Sequence, residues 1–306
     1  MAERTVADPP TERRNPATTD IDTWDTRAVL ECINDADQTV PDVVRTAVPE
    51  LVQVVDAAVD SLRRGGRVHY VGSGTSGGLG VLDAAELAPT YDIGAGRFVA
   101  HHAGGLTALA TGVTDVEDDE ELAAADAATF GPDDLVVGLT ASGRTPYVGA
   151  ALRAARAVGA RTALVSCNPM APLAGAADIH VCLDTGPEVV AGSTRMKAGT
   201  AQKLALHSLS TAVMIRLGRT YSNFMVNMVA TNEKLRGRAL RMLVEATGLD
   251  EDVCAEALVT ADGEVTLALV CLLAAVPVDV ARPALTQAEG VVRDALVQLG
   301  GGTQLA

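Results

Sequence analysis

The sequence is short of positive charge. Its 306 residues contain 24 Lys and Arg against 39 Asp and Glu, which gives a formal net charge of −15 at pH 7. Sequence-independent nucleic-acid binding depends on clustered cations that neutralise phosphates, so this acidic balance argues against it, and against anionic membrane surfaces likewise. With 48% hydrophobic residues the chain is expected to bury a large core as a soluble globular protein.

Metal-type cysteine pairs and an apolar leader are also missing. The five cysteines have no CxxC spacing, and an odd number of scattered cysteines suits a reducing cytoplasm. The alternative for each is a small, buried hydrophobic side chain. They are Cys32, Cys167, Cys182, Cys254 and Cys271. The first 20 residues carry charge and proline without an apolar core, which predicts neither a signal peptide nor a membrane span. We expect residues 1–22 to form a flexible arm.

Five short apolar runs alternate with helical segments through the first two thirds of the chain. The runs begin at Arg67, Phe98, Asp134, Arg161 and Asp178. Such alternation requires right-handed crossovers and a parallel sheet covered on both faces, so we expect a doubly wound, five-stranded α/β fold. Apolar residues at helical spacing over residues 41–62 predict one helix before the first strand.

The class of structure changes after Lys203. Long helical runs are predicted over residues 201–217 and about 223–245, followed by three shorter helices, with Asp250 or Glu251 near the start of the first of them. We therefore expect a sheet domain over residues 23–240 and a small all-helical domain over 241–306. The second domain has few groups suited to chemistry, which favours a packing or dimerisation module.

Two glycine and serine loops follow predicted strands, where ligands bind in doubly wound sheets. The first is GSGTSGG at residues 72–78, in which Gly74 lets backbone approach a ligand and Thr75 and Ser76 offer hydroxyls. The second is TASGRTP at residues 140–146, with Ser142, Gly143 and Thr145. One such loop alone could be a bare turn, but two favour a phosphate site.

A nucleotide is the competing ligand for these loops. The first loop lacks the Lys-Ser/Thr ending of a P-loop, and the second strand ends without the acidic residue that holds a ribose. The loops therefore favour a single terminal phosphomonoester, and we expect a phosphorylated small molecule, most simply a sugar.

Two carboxylates are candidates for proton transfer beside that cradle. Glu86 follows Ser76 on the predicted helix, and Glu117 lies in the acidic run after the second strand. A helical glutamate beside an apolar face can act as a general acid, whereas an ionised one can act as a base. The alternatives are a residue of the last helical turn for Glu86 and a solvated helix start for Glu117.

The segment GPEVVAGSTRMKAGTAQK, residues 186–203, groups cations in this acidic chain. Ser193 and Thr194 precede a helix-forming run from Arg195, and the exposed N–H groups of a helix start, together with Arg195 and Lys197, would form an anion site. An ordinary capped surface helix is the alternative.

These motifs resemble the N-acetylmuramic acid 6-phosphate etherase family, in that family's order. The similarity is carried by residues 72–86, 141–148, 166–169, 186–203 and 223–239 and extends over nearly the whole chain. It implies a sugar isomerase (SIS) domain fold, a homodimer, and no metal or redox cofactor.

The resemblance also implies the reaction. The family cleaves a lactyl ether by elimination and then hydration, giving N-acetylglucosamine 6-phosphate and D-lactate during cell-wall sugar recycling. By motif match Glu86 corresponds to the proton donor and Glu117 to the second catalytic carboxylate, here assigned as the base. Gly74, Thr75, Ser76, Ser142, Gly143 and Thr145 would surround the phosphate, and Glu188, Arg195 and Lys197 would line or brace the site.

Two departures from the family pattern keep other functions open. Gly78 stands where an arginine is usual and Thr114 where a glutamate is usual. A lost charge-assisted hydrogen bond costs about 1.5 to 3 kcal/mol of binding. The alternatives are therefore an SIS-type lyase or isomerase on another amino-sugar phosphate, and a non-catalytic sugar-phosphate sensor.

Overall fold

The N-terminal part of the chain is built of short turns and helices. The structure, a computed structural model, describes residues 9–112, 115–227 and 233–300. Three 3-10 turns, Pro10–Glu12, Pro16–Thr18 and Ile21–Thr23, precede α1 (Thr26–Asp37), α2 (Val40–Thr46) and α3 (Val48–Arg63). The single helix predicted over residues 41–62 is thus two helices. Pro49 has no N–H to donate and its ring clashes with the carbonyl four residues earlier, so the helix restarts after Ala47.

A five-stranded parallel sheet forms the centre of the fold, as predicted. The strands are β1 (Val68–Gly72), β2 (Phe98–His102), β3 (Leu135–Thr140), β4 (Arg161–Ser166) and β5 (Ile179–Cys182), in the order β2-β1-β3-β4-β5. Every residue of β1 and β3 is buried, as expected for central strands covered on both faces. Gly72 pairs with His102 on one side and Leu139 on the other, so the loops that leave these strands start at the same edge.

Helices connect the strands and cover the sheet. They are α4 (Gly74–Tyr91), α5 (Gly105–Thr111), α6 (Glu120–Ala127), α7 (Pro146–Ala157) and α8 (Lys197–Arg216), with 3-10 turns at Asp115–Asp118 and Pro172–Ala176. Side chains of α7 pack into the sheet in a buried cluster that includes Val136, Val148, Leu152 and Leu164. Thr114 lies outside the described residues.

A buried histidine lies toward the amino ends of the strands. His69 Nδ1 is 2.9 Å from His101 Nε2, and His69 Nε2 is 3.1 Å from Asp134 Oδ2. Burial, with a contribution from His101, lowers the pKa of His69 to about 4. The imidazole is therefore held neutral inside the sheet domain near neutral pH.

The C-terminal region is helical, as predicted. It contains α9 (Glu233–Thr247), α10 (Glu251–Thr260), α11 (Val265–Ala274), α12 (Val278–Gln287) and α13 (Val292–Gln298) around a core that includes Leu243, Leu267 and Val292. Asp250 is the residue before α10. Four short helices follow α9 instead of three, because Ala275 takes a left-handed conformation and ends α11.

The helix predicted from about residue 223 begins later. Tyr221 and Phe224 exchange backbone hydrogen bonds across a two-residue turn, so residues 223–227 are not helical. Residues 228–232 of the prediction lie outside the described residues, and α9 begins at Glu233.

The chain divides into two compact units. The first contains residues 1–85 and 95–210, and the second contains residues 86–94 and 211–306. The domains expected over 23–240 and 241–306 divide the chain at another place and stay a prediction. Within the described ranges no single helix is long and apolar enough to cross a bilayer, although α11 and α12, bent by 112°, meet that length and composition together.

Candidate functional site

A cavity of about 560 Å³ lies in the first unit, next to the loop that follows β3. Three chain segments line it, and its lining residues are Pro9, Glu12, Glu117, Asp118, Ser142, Arg144, Thr145 and Pro146. The structure therefore brings together three residues selected from the sequence: Glu117, Ser142 and Thr145. The volume of the cavity falls within the range of ordinary small-molecule sites.

The loop after β3 is held in one conformation by its own hydroxyls. Thr140 Oγ1 accepts a hydrogen bond from Gly143 N at 3.2 Å and lies 2.8 Å from Thr145 Oγ1. Gly143 has a φ of 71°, and a Cβ there would lie 2.4 Å from the Cβ of Ala171, so only glycine fits. Asn168 Nδ2 donates to Ser142 O at 2.8 Å. The loop thus presents Ser142 and Thr145 to the cavity from a fixed backbone.

Sequence reasoning gave no role to Thr140 or Asn168. Thr140 reads as the last residue of a strand, although its bonds to Gly143 and Thr145 are local to the loop that follows. Asn168 belongs to a different loop, so no local spacing connects its side chain to Ser142. The role of Asn168 depends on the pairing of β3 with β4, which joins Thr140 to Ser166.

Glu117 is exposed on the turn Asp115–Asp118. Partial desolvation, followed by repulsion from Asp118, raises the pKa of Glu117 above its ordinary value of 4.5. A carboxylate with a raised pKa is a stronger proton acceptor while it is ionised, which suits a general base. Glu86 is exposed on α4 and belongs to the second unit.

The glycine loop after β1 forms the start of α4. Gly74 has a φ of 53°, and a Cβ on Gly77 would lie 2.5 Å from Gly72 O, so the helix starts directly against the strand end. Thr75 is exposed, whereas Ser76 is buried and its hydroxyl donates to Gln202 Oε1 at 2.8 Å. The hydroxyl hydrogen of Ser76 is therefore already hydrogen-bonded to Gln202.

Gly78 lies one turn into α4 with little around it. The nearest atom to a Cβ at this position would be Leu109 Cδ1 at 3.0 Å, the end of a flexible side chain. The position that carries an arginine in the family pattern is thus open enough to accept a side chain once Leu109 turns away.

In segment 186–203 a buried carboxylate fills the helix N-terminus that was predicted to bind an anion. Glu188 is fully buried and accepts hydrogen bonds from Lys197 N at 3.0 Å and Ala198 N at 2.9 Å. Lys197 Nζ donates to Thr185 O at 2.7 Å, and α8 begins at Lys197, two residues later than expected. Burial raises the pKa of Glu188, although the two N–H groups and Lys197 act against it. Arg195 is exposed. The contribution of these three residues to a substrate site stays a prediction.

The N-terminal segment packs on the same stretch of chain. Gly192 N donates to Thr11 O at 3.0 Å, and Thr18 Oγ1 donates to Val189 O at 2.7 Å. Thr11 and Thr18 are buried. Residues 9–18, expected within a flexible arm, therefore have fixed contacts in the first unit, because their prolines favour tight turns that the sequence alone does not distinguish from a linker.

Comparison with known proteins agrees with this architecture. A family model described as "SIS domain" matches residues 95–212. A curated N-acetylmuramic acid 6-phosphate etherase of Thermobifida fusca (strain YX) is 58% identical over 264 residues, covering 86% of this chain and 87% of the relative. Another, of Pectobacterium atrosepticum, is 48% identical over 292 residues, covering 95% of this chain and 96% of the relative.

Among solved structures, a phosphoheptose isomerase from Francisella tularensis covers 61% of this chain and 98% of its own, with a TM-score of 0.48 and 19% identity.

Proposed function

The chain belongs to the N-acetylmuramic acid 6-phosphate etherase family, and on that premise we propose that it cleaves the lactyl ether of N-acetylmuramic acid 6-phosphate. The products are N-acetylglucosamine 6-phosphate and D-lactate, so the enzyme is a carbon-oxygen lyase that serves the recycling of cell-wall sugar. The names of the relatives favour this reaction over a different amino-sugar phosphate or a non-catalytic sensor.

The chemistry requires one base and one acid. The ring-opened aldehyde acidifies the proton on the second sugar carbon, and Glu117 removes that proton. Lactate then leaves from the third carbon while Glu86 protonates the departing oxygen, because an alkoxide is a poor leaving group near neutral pH. Water adds to the resulting alkene and restores the sugar.

The observation that carries the proposal is the cavity that Glu117 shares with Ser142 and Thr145. The two hydroxyls can donate to phosphate oxygens, and the raised pKa of Glu117 brings its basicity closer to that required for proton abstraction. The phosphate and the reacting carbon of one small sugar can therefore be served by a single cavity of about 560 Å³.

D-Lactate release from N-acetylmuramic acid 6-phosphate tests the proposal. We expect E117Q and E86Q to lower kcat by about 10²- to 10⁴-fold each, the range of general acid-base catalysis. E121Q is the matched control, since Glu121 is exposed in the same acidic run and lies outside the cavity lining. No lactate from folded wild type would refute the function, and E117Q activity equal to that of E121Q would refute the role of Glu117.

The pH dependence of kcat/KM tests the role of Glu117 as the base. A base must be ionised, so kcat/KM should rise with pH through a pKa above 4.5. A rate that instead falls as pH rises through that pKa would assign Glu117 as the acid.

We extend the proposal to assembly and compartment. The enzyme acts as a homodimer, as the family resemblance implies. It acts in the cytoplasm, because its five cysteines are all free thiols, which suits a reducing compartment. Light scattering on the purified protein measures the assembly directly, and a monomeric mass at full activity would contradict the dimer.

A further inference from the structure

The N-terminal 3-10 turn Pro10–Glu12 brings a third glutamate to the cavity. Glu12 lines it together with Glu117, Ser142 and Thr145. We propose that Glu12 is a substrate-contacting residue whose carboxylate accepts hydrogen bonds from the hydroxyl or acetamido N–H groups of the sugar, an inference that rests on the proposed function and deepens it.

The position of Glu12 is fixed by contacts on both sides of it in the chain. Thr11, immediately before it, is fully buried and accepts a hydrogen bond from Gly192 N at 3.0 Å. Thr18 is buried and donates to Val189 O at 2.7 Å. The backbone of Glu12 itself donates to Pro9 O at 3.0 Å, which closes the turn. The segment that carries Glu12 is therefore anchored to residues 189–192.

Gly192 leaves room for the Glu12 side chain. Its φ is 76°, and a Cβ built on it would lie 2.9 Å from Glu12 Oε2. The carboxylate thus lies over the bare backbone of Gly192, where a side chain on residue 192 would displace it.

The cavity lining divides by chemistry into two groups. Residues 142–145 contribute two hydroxyls and the Arg144 guanidinium, which are donors suited to a phosphate. Glu12, Glu117 and Asp118 contribute carboxylates, which repel a phosphate dianion and accept hydrogen bonds from neutral O–H and N–H groups. A sugar phosphate has both kinds of group, so its phosphate belongs at residues 142–145 and its ring hydroxyls or acetamido group at the carboxylates. Glu117 is assigned to proton transfer, which leaves Glu12 and Asp118 to hold the ring, and of these Glu12 lies in the segment anchored to residues 189–192.

Calorimetric titration with two probes tests the assignment. The probes are N-acetylglucosamine 6-phosphate, which carries the sugar, and inorganic phosphate, which does not. We expect E12A to bind the sugar phosphate about 10- to 100-fold more weakly, as for loss of a hydrogen bond to a charged group, and to bind inorganic phosphate as the wild type does. D22A is the matched control, because Asp22 is an exposed carboxylate of the same N-terminal segment outside the cavity lining.

Each outcome decides the proposal. Unchanged sugar-phosphate affinity in E12A overturns it, and so does an equal loss for both probes or an equal loss in D22A. Should E12A fail to fold, E12Q decides: a loss of threefold or more for the sugar phosphate alone supports the proposal, and wild-type affinity overturns it. If the wild type binds neither probe, the proposed function and this inference are both refuted. If the wild type binds the sugar phosphate but releases no lactate, the reaction is refuted and the effect of E12A on binding still tests the role of Glu12.

Discussion

Glu188 offers the sharpest test of how segment 186–203 is built. Its buried carboxylate accepts the N–H groups of Lys197 and Ala198 at the start of α8. In E188A both N–H groups stay buried without a partner, at about 1 to 3 kcal/mol each, so we expect a loss of about 2 to 6 kcal/mol. In E188Q one acceptor oxygen remains, and the expected loss is about 1 kcal/mol at neutral pH.

The raised pKa of Glu188 determines how the stability difference between wild type and E188Q changes with pH. Between the unfolded value of 4.5 and the higher folded value, the folded state binds more protons than the unfolded state, so this group's contribution to stability falls as pH rises. E188Q does not titrate there. Its deficit relative to wild type should therefore be largest in acid and shrink as pH rises.

Thermal unfolding followed by circular dichroism at several pH values measures both effects. For a unit of this size 1 kcal/mol corresponds to about 2 to 4 °C, so E188A should melt at least about 4 °C below wild type. D184A is the control, because Asp184 is exposed and accepts a single backbone N–H, from Gly186 at 3.2 Å. If E188A had the same melting temperature as D184A, the argument that Glu188 caps α8 would be wrong. A deficit of E188Q that grows with pH would show that the ionised form is favoured.

Two further predictions concern the sheet domain. Because the pKa of His69 is lowered to about 4 from 6.5, the unfolded chain binds a proton in that interval that the folded chain does not, so stability should fall as pH drops from 6.5 to 4. Urea unfolding at pH 7 and pH 4.5 should therefore show a smaller acid loss for H69Q than for wild type, and an equal loss would contradict this. In the glycine loop, G77A should lose about 1 to 3 kcal/mol because the new Cβ meets Gly72 O at 2.5 Å, whereas G78A meets only Leu109 Cδ1 and should stay within about 0.5 kcal/mol. Equal melting temperatures for the two variants would refute the difference.

The sheet was predictable because its signals are local. Each strand is a short apolar run, and the runs at Val68 and Leu135 are buried along their whole length, as parallel strands between helices must be. The loops after β1 and β3 were predictable for the same reason, since their glycines and hydroxyls stand directly after those runs.

Contacts between distant segments were not predictable. Residues 186–203 have the composition of a helix start that binds an anion. The anion at this helix start is the carboxylate of Glu188, and its position depends on how the chain folds back between Glu188 and Lys197. Pro49 was visible in the sequence, but apolar spacing continues across it and hid the break after Ala47. The place of Glu12 depends on residues near Val189, and no spacing within the first 20 residues encodes that.

The bond from Thr18 to Val189 spans 171 residues, which has a consequence for synthesis on the ribosome. At about 5 to 20 residues per second, the partner of the N-terminal segment emerges roughly 9 to 34 s after the segment itself. The segment around Thr18 is thus translated before the strands but can make this contact only after them. A nascent chain can fold β1 to β4 before Pro9 and Glu12 reach the cavity that they line, so under the proposed function a sugar phosphate should gain its full binding site only late in translation.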